Sequence, residues 1–220
     1  MTGGDRDRTG GDDRLEDRER MVEGLERRSR VTDGRVLEAL ETVPRHAFVP
    51  PARREQAYSD QPLPIGDDQT ISAPHMVGIM TELLDLKPGD EVLEVGTGCG
   101  YHAAVTAELV GPENVYSVEY SAELAEHARN RLAEIGDDGV RVRVGDGREG
   151  WPEHAPFDAI YLTCATAGVP DALLEQLRPG GRLLAPVGTV SQTLVAIDRR
   201  ADGSLERSEH GGVRFVRMRG

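Results

Sequence analysis

The sequence predicts an α/β fold, with a doubly wound, mainly parallel sheet of seven strands preceded by a small N-terminal helical cap. From residue 91 onward, short apolar runs alternate with helical patterns and glycine turns, as in parallel strands joined by crossover helices. The length of 220 residues suits one such core with a small addition, but not two full domains. We therefore expect a single sheet-centred core.

The chain divides into three predicted segments. Residues 1–14 are dominated by Gly, Asp and Arg without apolar periodicity, so we expect an acidic and arginine-rich disordered tail. Residues 15–73 are expected to form the helical cap and a following loop. Residues 74–220 are expected to form the sheet core.

Capping and breaking residues define the elements before the sheet. Asp33 is expected to cap a short helix that ends before Pro44. Residues 58–73 are rich in Pro, Gly and Asp and predict a loop. The apolar i, i+3, i+4, i+7 stripe that starts at Met76 predicts an amphipathic helix over 74–85.

The core pattern gives seven strands and three further helices. The strands are expected at EVLEV (91–95), VYSVE (115–119), VRVRV (140–144), DAIYLT (158–163), RLLAPV (182–187), TLVAI (193–197) and VRFV (213–216). The helices are expected at 101–110, 121–135, where Ser121 is a cap and Gly136 a stop, and 170–178. The last strands lack intervening helices, which predicts an antiparallel edge.

The charge pattern argues against nucleic acid as a partner. The chain has 39 acidic and 26 basic residues, a formal charge of -13, which repels a phosphate backbone. Lys87 is the only lysine, and acidic residues recur along the whole chain. This excess predicts adaptation to salt, because a Debye length of about 3 Å at molar ionic strength screens carboxylate repulsion.

Other function classes are disfavoured by what the sequence lacks. No apolar run is long enough to span a membrane, and the N-terminus has no apolar signal region. We therefore expect a cytoplasmic protein without a membrane partner. Cys99 and Cys164 lie in separate elements without zinc-site spacing, so no structural metal is expected. We expect a monomer.

A glycine-rich turn joins the first core strand to the next helix. Gly96, Gly98 and Gly100 allow the backbone to turn tightly and approach a ligand, and the helix N-terminus behind them offers free amides. A dinucleotide fingerprint needs its third glycine at the position of Tyr101. This departure disfavours NAD as the ligand.

Two acidic residues end the next two strands. Glu119 closes the second strand, where a carboxylate can accept hydrogen bonds from both ribose hydroxyls, and Asp146 follows the third, where it can accept from an adenine amine. Each feature alone also fits a structural role: a tight turn, a surface charge, or a turn residue that binds its own backbone. Their coincidence at consecutive strand ends favours a nucleoside cofactor and a Rossmann-like core.

The order of glycine loop, acidic residue and Asp-Gly resembles the S-adenosylmethionine (SAM)-dependent methyltransferases, as does LRPGGRL at 177–183. Amino-methylating members often carry Asn- or Asp-Pro-Pro-aromatic after the fourth strand, whereas this chain has TCAT at 163–166. A nitrogen substrate is therefore disfavoured. Cys164 has no evident activating partner, so a small buried thiol is favoured over a nucleophile.

The loop LPIGDDQTISAPHM at 63–76 resembles the signature of the protein-L-isoaspartate O-methyltransferases. The resemblance runs in order over about residues 20–218 and includes VPRHAFVP (43–50), GDGR (145–148), APFDAI (155–160), PVG (186–188) and VRFV (213–216). The chain departs from the family at Cys99, where serine is usual, and at CAT (164–166). Neither departure removes a binding motif.

The resemblance implies SAM-dependent methylation of the free α-carboxylate of L-isoaspartyl residues, which starts their repair through a methyl ester and a succinimide. The expected substrates are damaged proteins and peptides. The expected cofactor residues are Glu94, Gly96, Thr97, Gly98, Gly100, Tyr101, Glu119, Tyr120, Asp146, Gly147, Thr163 and His75. The expected substrate residues are Thr70, Ile71, Ser72, Val213 and Phe215, of which the resemblance implies that Ser72 is the active-site residue.

Alternatives remain open for individual residues and for the function. Ser72 could merely cap the helix that follows, and His75 could be an exposed or packed histidine. A small-molecule carboxyl methyltransferase would share the cofactor site. A non-catalytic SAM-binding module would bind without turnover. A tRNA methyltransferase would need a basic face, which the net charge disfavours.

Overall fold

The computed structural model describes residues 14–220. The predicted tail, residues 1–14, lies outside the described residues except for Arg14. The helices of the described part are α1 (Leu15–Arg27), α2 (Gly34–Thr42), α3 (Pro74–Leu84), α4 (Tyr101–Val110), α5 (Ala122–Glu134) and α6 (Asp171–Glu175). The strands are β1 (Leu63–Gly66), β2 (Gln69–Ile71), β3 (Val92–Val95), β4 (Val115–Glu119), β5 (Arg141–Val144), β6 (Phe157–Leu162), β7 (Leu177–Val187), β8 (Gln192–Arg199) and β9 (Leu205–Val213).

Seven strands form the central sheet in the order β5-β4-β3-β6-β7-β8-β9. The first five in this order pair in parallel, and β8 and β9 pair antiparallel at the edge. The doubly wound, mainly parallel sheet and its antiparallel edge are thus confirmed. The chain moves from β3 outward to β4 and β5, then returns to β6 on the other side of β3. This reversal leaves a crevice at the carboxyl ends of β3, β4 and β6.

Both faces of the sheet are buried at its central strands. Along β3, Val92 packs into a cluster that includes residues of α1 to α4, while Leu93 and Val95 pack into a second cluster with α6. On β6, Tyr161 packs into the first cluster and Ile160 into the second. Because helices or turns cover each face, these strands are apolar at nearly every position, which is the reason that their sequences were easy to identify.

The predicted helix signals are confirmed. The Asp33 carboxylate accepts a hydrogen bond from the Arg35 amide at 2.8 Å, and the Ser121 hydroxyl accepts from the Leu124 amide at 3.4 Å. Gly136, just after α5, has a φ of 83° and so ends that helix in a left-handed conformation. Within residues 14–220 no helix is long and apolar enough to cross a membrane.

The prediction of a loop over residues 58–73 was wrong for its second half. Strands β1 and β2 form an antiparallel hairpin in which Leu63 pairs with Ile71, and both side chains are buried. Asp67 and Asp68 make the turn with φ angles of 49° and 55°. The Pro, Gly and Asp content marks the turn correctly, but strands of three and four residues are too short to show alternation.

The seventh strand was also misplaced. The final strand is β9, whereas residues 214–216 lie beyond it. Every residue of β9 before Val213 is exposed, so this edge strand has no apolar face that a pattern could reveal. The Gln192 side chain instead holds Phe215, accepting from its amide at 2.6 Å and donating to its carbonyl at 3.1 Å. The helix predicted over 170–178 is shorter, because Leu177 already starts β7.

Candidate active site

An open cleft lies at the carboxyl ends of the central strands, between the β1–β2 hairpin and the C-terminal segment. Its empty space, including the part open to solvent, is about 760 Å³. Most of the predicted site residues line it: Thr70, Ile71, Ser72, Glu94, Gly96, Thr97, Gly98, Tyr101, Glu119, Tyr120, Gly147 and Thr163. Five predicted residues lie outside the lining: His75, Gly100, Asp146, Val213 and Phe215.

The glycine loop at the end of β3 forms the floor of the cleft. Gly96 has a φ of 100°, and a Cβ atom there would lie 2.4 Å from the Thr163 hydroxyl oxygen. That hydroxyl donates a hydrogen bond to the Gly96 carbonyl at 2.5 Å. No side chain can therefore be placed at Gly96 without displacing the end of β6. Gly98 also has a positive φ, of 56°, and faces Ile65 of the hairpin.

Glu119, at the end of β4, braces this loop. Its carboxylate accepts a hydrogen bond from the Gly98 amide at 2.8 Å and another from the Ser121 amide at 2.9 Å. The residue is only 7% exposed. The carboxylate is thus fixed at the cleft with lone pairs that remain for the hydroxyls of a ligand.

A buried polar network lies beneath the cleft around Glu94. The Glu94 carboxyl accepts from the Ser117 hydroxyl at 2.5 Å and from the Tyr161 hydroxyl at 3.0 Å. Thr97 and Thr106 extend the network through Ser117 and Tyr161. Burial raises the pKa of the Glu94 carboxyl to about 8, against the opposing effect of these hydrogen bonds. Glu94 is thus protonated at neutral pH before any cation binds.

Asp146 is not among the residues that line the cleft. Its carboxylate accepts from the Arg148 amide at 2.9 Å and forms an ion pair with the Arg148 guanidinium at 2.6 Å. These contacts hold the pKa of Asp146 below its usual value. The backbone of Gly147 does line the cleft. Adenine recognition by the Asp146 carboxylate therefore stays a prediction.

Ser72 lies between β2 and α3 on the rim of the cleft. Its carbonyl accepts a hydrogen bond at 2.8 Å from the guanidinium of Arg45, which is fully buried. Among the described residues, the α3 N-cap position, Ala73, has no side-chain hydrogen bond to the helix, and the Ser72 hydroxyl has none at all. The interpretation of Ser72 as a helix cap is therefore not supported.

His75 is held outside the cleft by Asp60. The Asp60 carboxylate oxygen lies 2.6 Å from His75 Nδ1 and accepts the His75 amide at 3.0 Å. A cofactor contact by His75 stays a prediction. Cys164 is 9% exposed, and burial raises the pKa of its thiol to about 12, so a thiolate does not form near neutral pH.

The C-terminal segment closes the side of the cleft opposite the strands. Val213 and Phe215 do not line the cleft, whereas the residues just after them, Val216 to Arg219, do. The Val216 carbonyl accepts from the Ala165 amide at 2.7 Å, and the Met218 amide donates to the Ala165 carbonyl at 2.8 Å. Arg219 reaches across to Asp67 of the hairpin, with 2.7 Å between guanidinium and carboxylate.

Sequence reasoning missed several residues at the site. Arg45 lies within the VPRHAFVP run but had no separate signal, because a buried arginine looks like a surface one in sequence. Asp60 was read as part of a polar loop. Arg217 and Arg219 follow the expected last strand by only a few residues. Because that strand was misplaced, the sequence did not predict that these two arginines line the cleft. No local signal points to Asp60, which lies 14 positions before the start of α3.

The strand order, the glycine loop and the acidic strand end define a Rossmann-like methyltransferase. The family model for protein-L-isoaspartate (D-aspartate) O-methyltransferases matches residues 16–220, and the chain belongs to this family, whose cofactor is SAM. A protein-L-isoaspartate O-methyltransferase 2 of Archaeoglobus fulgidus is 53% identical over 206 residues, covering 93% of this chain and 94% of that protein. A relative of the same activity from Methanopyrus kandleri is also 53% identical over 206 residues, covering 92% of this chain and 91% of that protein.

Solved structures agree with the family. One protein-L-isoaspartate O-methyltransferase superposes with a TM-score of 0.83 and 31% identity, covering 92% of this chain and 66% of that one. A second, from Plasmodium falciparum and solved with S-adenosyl-L-homocysteine, gives a TM-score of 0.82 and 25% identity, covering 92% of this chain and 98% of that one. The resemblance inferred from the motifs is thus confirmed, together with the fold, the activity class and the cofactor.

Proposed function

We propose that this protein methylates the free α-carboxylate of L-isoaspartyl residues in damaged proteins and peptides, and that Ser72 orients that carboxylate. The observation that carries the proposal is the uncommitted Ser72 hydroxyl on the rim of a cleft that also contains the glycine loop and Glu119. Family membership supplies the reaction class.

The floor of the cleft fits a nucleoside cofactor with a positive charge. The backbone at Gly96 and Gly98 is open to close approach, and the Glu119 carboxylate is placed to accept from ribose hydroxyls. The Glu119 carboxylate lies at this end of the cleft, where its charge favours binding of a cation. When bound, SAM supplies an electrophilic methyl group on a sulfonium.

The opposite side of the cleft fits an anionic substrate. Arg217 and Arg219 line it, and the buried Arg45 lies directly behind Ser72. A cleft that is acidic at the strand ends and basic at its rim separates the binding of a sulfonium cation from that of a carboxylate. We infer that the isoaspartyl carboxylate lies near Ser72, where the hydroxyl can donate a hydrogen bond to one of its oxygens.

The chemistry needs alignment more than activation. A carboxylate with a reference pKa near 4 is already ionised at neutral pH, so no general base is required. One carboxylate oxygen forms a bond to the methyl carbon while the carbon–sulfur bond breaks, and the electron pair of that bond stays on sulfur. The work of the protein is to hold the oxygen in line and to exclude water.

The protein is proposed to act as a single chain in the cytoplasm, without nucleic acid or membrane. The net charge of -13 does not favour a phosphate backbone. Gel filtration with light scattering in the presence of a substrate peptide tests the oligomeric state, and a dimer as the active species would contradict it.

Methylation of paired peptides tests the substrate assignment. With radiolabelled SAM, an L-isoaspartyl peptide should be methylated and the matching L-aspartyl peptide should be nearly untouched. The two place the carboxylate on arms that differ by one methylene, and a misplacement of about 1 Å can cost on the order of a hundredfold in rate. Equal rates on both peptides would contradict the assignment. Faster transfer to free organic acids would favour a small-molecule enzyme, and binding without turnover a non-catalytic module.

A further inference from the structure

The N-terminus of α3 is capped by a residue from another part of the chain. Ser72 lies one position before the N-cap, Ala73, and Pro74 in the first turn has no amide hydrogen, so the first free amide of α3 is that of His75, three residues after Ser72. That amide already donates to the Asp60 carboxylate at 3.0 Å, and the same oxygen lies 2.6 Å from His75 Nδ1. Asp60 thus accepts the amide that a cap by the Ser72 hydroxyl would need.

The other backbone group next to the Ser72 side chain is also taken. Arg45 donates from Nη2 to the Ser72 carbonyl and from Nε to the Ala57 carbonyl, both at 2.8 Å. Its guanidinium lies 4.8 Å from the centre of the Tyr101 ring, at the start of the helix that follows the glycine loop. Planar contacts with two carbonyls and a ring fix the Arg45 side chain and, through it, the Ser72 peptide.

We propose that Asp60 and Arg45 are positioning residues for methyl transfer. Asp60 caps α3 in place of Ser72 and so leaves the serine hydroxyl free for the substrate carboxylate, while Arg45 fixes the peptide from which that hydroxyl projects. The proposal rests on the proposed role of Ser72. It explains why a serine in front of a helix, a favoured capping residue, does not cap.

A double-mutant cycle between Asp60 and Ser72 tests the first half. In Asp60→Ala the His75 amide loses its acceptor, and the Ser72 hydroxyl turns to accept it and is lost to the substrate. The kcat/KM for an L-isoaspartyl peptide should fall on the order of a hundredfold, as in Ser72→Ala, while the SAM dissociation constant stays within about threefold of wild type. In the Ser72→Ala background, Asp60→Ala should cause no further loss of kcat/KM.

The stability of the same four proteins gives a readout that is independent of catalysis. Ser72→Ala alone should leave the melting temperature unchanged, because the hydroxyl does not cap α3. Asp60→Ala alone should lower it little, since Ser72 takes over as the cap. The double variant should fall by a further 2 to 4 °C or so, the expected loss of one helix cap in a domain of this size.

Arg45→Lys tests the second half, because one ammonium cannot serve two carbonyls and stack on a ring. Its kcat/KM for the peptide should fall about tenfold or more, with SAM affinity retained. The matched control is Arg182→Lys. Arg182 donates to the Leu83 carbonyl at 2.7 Å, at the C-terminal end of α3, the helix that follows Ser72. Arg182→Lys should leave kcat/KM unchanged even where it lowers the melting temperature.

Four outcomes decide the matter. If the Asp60→Ala and Ser72→Ala losses in kcat/KM multiply, or if Asp60→Ala lowers only the melting temperature, the role of Asp60 is overturned. If Arg45→Lys and Arg182→Lys behave alike, the role of Arg45 is overturned. If Ser72→Ala retains full kcat/KM, the proposed function of Ser72 fails, and the positioning role falls with it. In that case a lower melting temperature of the double variant than of Asp60→Ala still shows that Asp60 displaces Ser72 as the cap.

Discussion

The cofactor side and the substrate side of the cleft are built in different ways. The cofactor side consists of the ends of β3, β4 and β6, whose residues are placed by a sheet that is buried on both faces. The substrate side consists of a two-stranded hairpin, Ser72 and a C-terminal segment, held by side chains such as Arg45 and Arg219. The first side is a rigid platform, and the second depends on a few separate contacts. A change on the cofactor side should therefore act on SAM affinity and folding together, whereas one on the substrate side should act on the kinetics with the peptide and leave SAM affinity near wild type.

The largest effect is expected from Gly96→Ala, on the cofactor side. The new Cβ atom would lie 2.4 Å from the Thr163 hydroxyl oxygen, at a φ of 100° that alanine rarely adopts. Strain and overpacking together should cost roughly 2 to 6 kcal/mol, shared between folding and SAM binding. Chemical denaturation and calorimetric titration measure the two parts. Gly136→Ala is the matched control, since Gly136 also has a positive φ but open space around its Cβ position. The platform description is wrong if both variants bind SAM like wild type.

Glu119→Ala should have the next largest effect. It removes the carboxylate that fixes the Gly98 amide and that we expect to accept from the ribose, at a cost of about 1 to 3 kcal/mol in SAM binding. Glu123→Ala, in the exposed first turn of α5, is the control and should bind SAM normally. Isothermal titration calorimetry compares them. Equal affinities would place the ribose elsewhere in the cleft.

The same contrast explains what the sequence could predict. The glycine loop, Glu119 and Gly147 were found because each lies at the end of a strand or a few residues after it, so that a local pattern fixes its place in space. Ser72 was found only through a family resemblance. Its partners Arg45 and Asp60 lie 27 and 12 positions away, and no local pattern relates them to it. Arg219 is 152 positions from Asp67, and the polar β9, exposed on both faces, concealed where the C-terminal segment begins.

Asp146 shows a limit on the cofactor side itself. The sequence predicted its position at the end of β5, where the structure has it. Its carboxylate is bound by the amide and the guanidinium of Arg148, two residues on. A sequence pattern can thus place a residue correctly in the fold without predicting which group its side chain binds.

The buried Glu94 makes the platform sensitive to pH. Its folded pKa of about 8 lies above the usual value of 4.5, so the folded state holds a proton that the unfolded state releases between these values. This contribution to stability is complete below about pH 4.5 and is lost as the pH rises to about 8, with a slope of at most about 1.4 kcal/mol per pH unit. Glu94→Gln should remove the slope. Urea unfolding at several pH values measures it.

His102 has the opposite effect in acid and defines the window of that test. Burial lowers the pKa of His102 to about 3, so below about pH 6.5 the unfolded state takes up a proton that the folded state does not, and stability falls as the pH falls. The two effects oppose each other between about pH 4.5 and 6.5. From pH 6.5 to 8, Glu94 contributes to the pH dependence of the free energy of unfolding and His102 does not. His102→Gln should therefore leave the slope in that range unchanged. An identical slope in wild type and Glu94→Gln across that window would show that Glu94 is ionised in the folded protein.

The smallest effect is expected on the substrate side, where Arg219 joins the C-terminal segment to the hairpin. Its ion pair with Asp67 is more than a third exposed on both side chains. Such pairs are weak and are screened by salt, so Arg219→Ala should raise the KM for the isoaspartyl peptide by less than about tenfold and leave the melting temperature near that of wild type. The hydrogen bond from Ser121 and the ion pair with Arg219 hold the pKa of Asp67 below its usual value, so the contact should persist into mild acid.

Arg207→Ala, which breaks an exposed ion pair on β9 away from the cleft, is the control for Arg219→Ala and should leave KM unchanged. The difference in KM between Arg219→Ala and wild type should shrink as KCl is raised, because salt weakens the pair in wild type but has nothing to weaken in the variant. A difference that is large and independent of salt would mean that Arg219 binds the substrate directly, so that the rim would act as a binding surface and not only as a closure.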